Sequence, residues 1–166
     1  MEKVCYYKVI SSPVGALKLI ASDKGLRAVL FHGGGRDKSI AFDGRLEASD
    51  DHPVLLRAER QLGEYFTGKR KAFDVPLNSA GTVFQQKAWR QLQKIPYGRT
   101  ISYGEQAKGL GDAKKARAVG MANGRNPLSI IVPCHRVVGA NGSLTGFGGG
   151  LKIKEYLLKF EKKNAA

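Results

Sequence analysis

Cysteine is nearly missing from this chain: Cys5 and Cys134 are its only two in 166 residues. They allow at most one bridge, and neither sits in a CxxC pair or a Cys/His grouping with zinc spacing. A disulfide scaffold and a zinc module are therefore excluded. His32 and His52 stand in polar segments with no cysteine or acidic partner at ligand spacing, so no metal site is expected. No run of about 18 apolar residues occurs, and the first ten residues are too polar for the apolar stretch of a signal peptide. The expectation is a cytoplasmic protein without a membrane anchor. The glycine cluster Gly146-Phe147-Gly148-Gly149-Gly150 is not followed by Lys and Ser or Thr, and it is not a GxGxxG between a strand and a helix. Nucleotide-cofactor binding is excluded on that ground.

Acidic residues are also scarce. Asp and Glu total 14 against 28 Lys and Arg, leaving a net charge of +14. Such a surface binds a phosphate backbone by releasing condensed counterions, without reading sequence, so nucleic acid is the first partner class. A merely basic surface is the alternative. Hydrophobic residues make up 42% of the chain, enough for a core, and no low-complexity tract points to disorder.

Three apolar-rich runs, residues 4–10, 16–21 and 26–31, are separated by Ser12-Pro13-Val14-Gly15 and Asp23-Lys24-Gly25, and predict a small antiparallel meander. Residues 32–52 read as a loop or one short strand. Pro53 suits the first turn of a helix, where Leu55, Ala58, Leu62, Tyr65 and Phe66 recur at helical spacing until Gly68. The stretch 74–81, with Pro76, Asn78 and Gly81, breaks both periodicities. It sets the expected domains at 1–78 and 79–166.

In the second part, Thr82 with Gln85 forms a capping box before the stripe Phe84, Ala88, Leu92, Ile95, and Pro96 ends that helix. Ser102 with Glu105 caps a short helix broken at residues 109–111. Asp112 then opens a longer one, 113–123, carrying Lys114, Lys115 and Arg117 among small residues, with Gly124 beyond its end. Short helix, glycine turn and longer helix is the order of a helix-turn-helix. The small residues suit close approach to a groove, or equally close packing on another helix. The run 128–132 predicts a buried strand that Pro133 ends and that presents Cys134-His135-Arg136. Asn141-Gly142 predicts a tight hairpin between Val137-Val138 and Leu144, and a last helix, 151–161, is expected to bury Ile153, Tyr156, Leu157 and Phe160.

A lone cysteine is most often a small buried hydrophobe. Here His135 and Arg136 could hold Cys134 as a thiolate through charge, although neighbours on an extended chain point to opposite sides. Lys154 and Glu161 lie two turns apart on one helix face. Glu161 could fix the tautomer of a basic histidine, or it could be an exposed carboxylate among Lys159, Lys162 and Lys163.

Pro133-Cys134-His135-Arg136-Val137 strongly resembles the motif of the O6-alkylguanine-DNA alkyltransferases, also called methylated-DNA-protein-cysteine methyltransferases. The likeness extends through Ile101-Ser102-Tyr103, Ala116-Arg117-Ala118-Val119-Gly120, Asn126-Pro127 and Lys154-Glu155-Tyr156-Leu157-Leu158 to Glu161. It implies an α+β protein, a small ribonuclease-H-like α/β domain followed by a mostly helical one with a helix-turn-helix. The implied reaction is irreversible, single-turnover transfer of the alkyl group from O6-alkylguanine in double-stranded DNA, with O4-alkylthymine a second substrate. The implied protein is a monomer that uses no cofactor. Cys134 would be the acceptor, His135 its base through a water, Glu161 the group orienting His135, Asn126 the organiser of the preceding turn, and Tyr103 the proton donor to guanine. Lys154 would assist. Ala116 and Arg117 would meet the DNA, with Arg117 filling the gap left by the flipped nucleotide. Phe147 and Gly148 stand where the family often has Tyr and a small polar residue. Phe147 can still line an apolar wall, while Gly148 offers no hydroxyl to the substrate. The rival readings are a non-catalytic damage binder, which lacks the cysteine, and a cysteine hydrolase, which would need an oxyanion hole.

Overall fold

The computed structural model describes residues 3–31, 44–144 and 150–165; Phe147 and Gly148 lie outside them. The chain forms two compact units, Met1–Ala80 and Gly81–Ala166.

The first unit is a four-stranded sheet covered by a helix. Strands β1 (Val4–Ile10), β2 (Leu17–Ser22) and β3 (Gly25–Phe31) form the expected antiparallel meander. A fourth strand, β4 (Arg45–Ala48), pairs with β1 in parallel, so the sheet is mixed, in the order β3-β2-β1-β4. Helix α1 (Pro53–Phe66) packs on the sheet with Leu55, Ala58, Leu62 and Tyr65 buried. Cys5, Ile20 and Ala28 make a second apolar cluster with Tyr7, Leu30 and Leu46. The cap of α1 is His52, whose ring Nδ1 accepts from the Val54 N–H. After α1 the chain returns along β3: the Leu26 N–H donates to Pro76 O and the Asn78 N–H to Leu26 O. A side chain at Gly25 would meet the Pro76 carbonyl at 2.7 Å, which explains that glycine.

The second unit is mostly helical. Both capping boxes are present, Thr82/Gln85 on α2 (Val83–Gln93) and Ser102/Glu105 on α3 (Tyr103–Gly109). Asp112 caps a 3₁₀ turn, Ala113–Lys115, that runs into α4 (Ala116–Gly124), so the long helix expected from 113 starts with a tighter turn and takes in Gly124. Polar groups tie these helices together. Gln106 and Asn123 exchange hydrogen bonds at 3.0 and 2.8 Å, Gln106 also donates to Ala88 O, and the Trp89 indole donates to Ala122 O at 2.8 Å. Each is buried, so removing either member of the Gln106–Asn123 pair would leave its partner unsatisfied.

Three expectations are corrected. Residues 128–132 are not a strand: Leu128, Ile130, Ile131 and Val132 are buried on a chain that turns, with Ile131 N–H donating to Ser129 O and Ile130 at φ +73°. A short apolar run reads the same in either case, because burial on all sides removes periodicity. Val137–Val138 (β6) pairs in parallel with Ile101–Ser102 (β5) rather than with Leu144; the Asn141-Gly142 turn is nonetheless closed by Gly139 and Ser143. Finally, α5 (Leu151–Ala165) buries Lys154, Leu157 and Glu161, while Tyr156 is 37% exposed. The helix turns Lys154 and Glu161 inward because partners wait for them there.

Candidate active site

Pro133 ends the turn segment and Cys134–Arg136 forms a single 3₁₀ turn. At three residues per turn, successive side chains fan out about 120° apart rather than alternating as on a strand. Cys134, His135 and Arg136 therefore point in three directions, and all three are buried.

Asn126 shapes the approach. Its Nδ2 donates to Val132 O at 2.7 Å and its Oδ1 accepts from the Leu128 N–H at 3.0 Å, bracketing the strained Ile130. Its side chain also hydrogen-bonds the Cys134 thiol. Burial pushes the thiol pKa above its ordinary value, and this outweighs the opposing pull of Asn126 and the Lys154 charge. The thiol is thus protonated at neutral pH. The expectation that His135 and Arg136 hold a thiolate by charge is overturned, since both are turned to Glu161.

His135 is fully buried and its pKa is lowered, first by burial, against the opposing effect of Glu161. The ring is neutral. Its Nε2 lies 2.6 Å from Glu161 Oε2, and since an ionised carboxylate can only accept, Nε2 carries the proton. Nδ1 then bears the lone pair, and it has no hydrogen-bond partner among the described residues. A buried, neutral imidazole with a bare nitrogen is a base.

Glu161 comes from α5 and is 1% exposed, so the exposed-carboxylate alternative falls. Burial alone would raise its pKa; hydrogen bonds and charge from His135 and Arg136 prevail and bring it to about 2. Arg136 meets the carboxylate with both prongs, Nε to Oε1 at 2.8 Å and Nη2 to Oε2 at 3.1 Å, and its Nη1 donates to Ile95 O at 2.7 Å. The Gly98 N–H adds a donor to Oε1 at 3.3 Å. Sequence reasoning missed this use of Arg136 and the part of Ile95 and Gly98; Pro96-Tyr97-Gly98 was legible only as a helix stop.

Lys154, one face with Glu161, donates from Nζ to Val137 O at 2.6 Å and to the Tyr103 hydroxyl at 3.5 Å. Burial lowers its pKa, with the nearby Cys134 opposing. Tyr103 opens α3 and its ring packs near Gly120 of α4, where a Cβ would approach it to 3.7 Å. The structure thus gathers Cys134, His135, Glu161, Asn126, Lys154 and Tyr103 in one place. Arg117 lies elsewhere, exposed on α4 opposite the buried Val119, Ala122 and Asn123, with Ala116 half-buried beside it. No group of three His, Cys, Asp or Glu residues that could hold a metal occurs among the described residues, and no described helix is long and apolar enough to cross a membrane.

Residues 5–79 match the family described as 6-O-methylguanine DNA methyltransferase, ribonuclease-like domain, and residues 83–163 match the 6-O-methylguanine DNA methyltransferase, DNA binding domain. A methylated-DNA–protein-cysteine methyltransferase of Methanosarcina acetivorans is 49% identical over 156 residues, covering 94% of this chain and 97% of that protein. The crystal structure of the Mycobacterium tuberculosis O6-methylguanine methyltransferase superposes with a TM-score of 0.85 at 44% identity, covering 98% of this chain and 95% of that one. The mycobacterial protein solved in complex with DNA superposes at 0.83 with 43% identity, covering 96% and 94%.

Proposed function

This chain belongs to the 6-O-methylguanine DNA methyltransferase family, which repairs DNA by moving an alkyl group onto a protein cysteine, and on that premise we propose that Cys134 is the acceptor in a reaction each molecule performs once. The observation that carries this is the bare Nδ1 of a neutral His135, locked in its tautomer by Glu161, on the residue that follows the protonated thiol of Cys134.

Cys134 Sγ displaces guanine at the alkyl carbon: the S–C bond forms as the C–O6 bond breaks. The thiol proton passes to His135 Nδ1 through one bridging water, because Nδ1 makes no direct bond to sulfur. Tyr103 gives its hydroxyl proton to the departing ring, since a guanine anion would leave poorly. Lys154 donates to the hydroxyl oxygen, which directs the tyrosine proton away from the lysine and stabilises the charge left behind. In total one proton leaves sulfur and one reaches guanine. The thioether formed has no good leaving group, so Cys134 is not regenerated. Apart from that water, every group this transfer needs is a side chain, and no cofactor is required.

O6 is inside the duplex, so the nucleotide must be turned out at a cost of a few kcal/mol. We assign that to the helix-turn-helix formed by α3 and α4, with Ala116 allowing close approach to the minor groove and Arg117 entering the vacated stack. The exposure of Lys114, Lys115 and Arg117 supports this, as does the DNA complex of the mycobacterial relative. Arg117→Ala should slow transfer from duplex about tenfold and leave transfer from free O6-methylguanine nearly unchanged; equal loss on both rejects the role. Free thiols at Cys5 and Cys134 fit a cytoplasmic monomer.

The deciding experiment is peptide mass after incubation with duplex containing O6-methylguanine. One methylene added to the Cys134 peptide, saturating at one per protein, is expected. DNA binding without a mass change would make the protein a damage binder, and turnover on esters without DNA would make it a hydrolase.

A further inference from the structure

Arg136 is the one charged residue of the buried 3₁₀ turn, and the transfer as described gives it nothing to do. Yet each of its three nitrogens donates at short range: two to Glu161, one to Ile95 O, with the guanidinium 5.6 Å from the centre of the Tyr97 ring. Burying a guanidinium is costly unless its geometry is satisfied, and this one is.

We propose that Arg136 and the turn at residues 95–98 form a clamp that holds the His135–Glu161 pair one proton short, so that Nδ1 stays a base. The clamp rests on the reading of His135 given above and makes Arg136 a positioning residue: it acts through Glu161 and meets no substrate.

The reasoning is a proton count. A proton added to the pair has two formal places. On His135 it makes an imidazolium, with Nδ1 protonated. On Glu161 it makes a carboxylic acid that donates to Nε2, which forces the neutral ring into its other tautomer, again with Nδ1 protonated. Either way the base is lost. What opposes that proton is the charge and fourfold hydrogen bonding on the carboxylate: Arg136 Nε and the Gly98 N–H on Oε1, Arg136 Nη2 and His135 Nε2 on Oε2. The groups facing the pair are Lys154 from α5, Arg136 from the turn itself, and Tyr97 beside Arg136. The two cations, Arg136 and Lys154, act against imidazolium. Gly98 can be nothing larger in this position: it lies at φ +78°, and a Cβ would fall 2.5 Å from that of Ala165.

The test is the ring ¹⁵N shifts of His135 against pH in the full chain, beside the pH profile of single-turnover transfer from O6-methylguanine duplex. In the starting protein Nε2 should be protonated and Nδ1 bare at neutral pH, with proton uptake at Nδ1 only below the ordinary imidazole value of 6.5. In Arg136→Gln, proton uptake at Nδ1 should move up by about one pH unit or more, and the acid limb of transfer should move up by the same amount, so that the variant loses more rate on the acid limb than at pH 8. Arg136→Lys keeps the charge but loses the fork, and its titration should move in the same direction by less. An unshifted His135 titration in a folded variant, or a loss of rate equal at all pH values, overturns the clamp. Should Arg136→Gln fail to fold, an unshifted titration in Arg136→Lys overturns it alone. The ¹⁵N readout needs no alkyl transfer: a protein that titrates as stated but never gains a methylene defeats the proposed acceptor role and leaves the clamp standing.

Discussion

The first unit closes over Leu17, Leu19, Leu26, Leu55, Leu62 and Tyr65, whereas the second buries Gln106, Asn123, His135, Arg136, Lys154 and Glu161 beside its apolar residues. The exception in the first unit, Gln61, is structural: its amide donates to Asp74 O and accepts from the Asp74 N–H, pinning the chain after α1. Apolar burial stabilises, at about 25 cal/mol per Å². A buried charge costs stability and persists only where partners offset the loss of water. The first unit is therefore built to hold its shape, and the second gives up stability to keep a thiol, an imidazole, a carboxylate and an amine out of water and within reach of one another.

Cys134→Ala is the largest functional break. It should abolish transfer, read as no added methylene on any peptide, while duplex affinity changes by less than about threefold, since the proposed DNA surface at Lys114, Lys115 and Arg117 is left intact. Affinity lost along with transfer would mean that the site and the DNA surface are not separate.

Next come matched truncations, one in each core. Glu161→Leu removes the partner of two prongs of Arg136 and should cost about 3–5 kcal/mol in denaturant unfolding, because an unpaired charge stays buried. It should also slow transfer in the molecules that remain folded. Leu62→Ala should cost about 2–5 kcal/mol through a cavity and leave transfer per folded molecule unchanged. A slowed reaction in folded Leu62→Ala would break the division of labour.

The contrast between the cores also bears on what was legible in the sequence. Where burial follows the period of one element, the residues say so: β1 to β3, α1 and both capping boxes were readable from alternation, helical spacing and Thr82/Gln85 or Ser102/Glu105. The parallel pairing of β4 with β1, and of β6 with β5, was not, because a parallel partner arrives over a long connection that no local pattern encodes. In the second unit the chemical residue types and their motif were visible, but not their geometry. Helical spacing placed Tyr156 inside α5 and made Glu161 an ordinary surface residue, since hydrophobicity cannot signal a charge that is buried because Arg136, distant in sequence, meets it. The turns at 128–132 read as a strand for the related reason that apolar residues buried on every side have no face.

Acid should separate the units as well. The His135 pKa is below its ordinary value of 6.5, so the unfolded chain binds that proton more readily than the folded one, and stability falls as pH drops below 6.5. Glu161, held from 4.5 down to about 2, adds a second loss as pH falls through that window, worth on the order of 3 kcal/mol. Both have the same sign. Hydrogen exchange at decreasing pH should therefore show the backbone of α5 and the 134–138 segment losing protection before β1 to β3; the reverse order would contradict the contrast between the cores.

Lys154→Met is the smallest perturbation and the sharpest. Lys154 is fully buried, with a pKa that burial lowers, so its charged form is held at a cost in the folded protein. Its Nζ donates to Val137 O and to the Tyr103 hydroxyl. Methionine has nearly the same length and no charge to desolvate, so the exchange should be neutral or stabilising by about 1 kcal/mol in chemical unfolding. Transfer should nonetheless slow, because the amine no longer opposes the burial that keeps Cys134 protonated and no longer steadies the Tyr103 oxygen. Stability kept or raised while the reaction slows would show that this charge serves the chemistry rather than the fold. A clear loss of stability would instead make Lys154 a strut, as Gln61 is in the first unit, and the difference between the two cores would be one of composition alone.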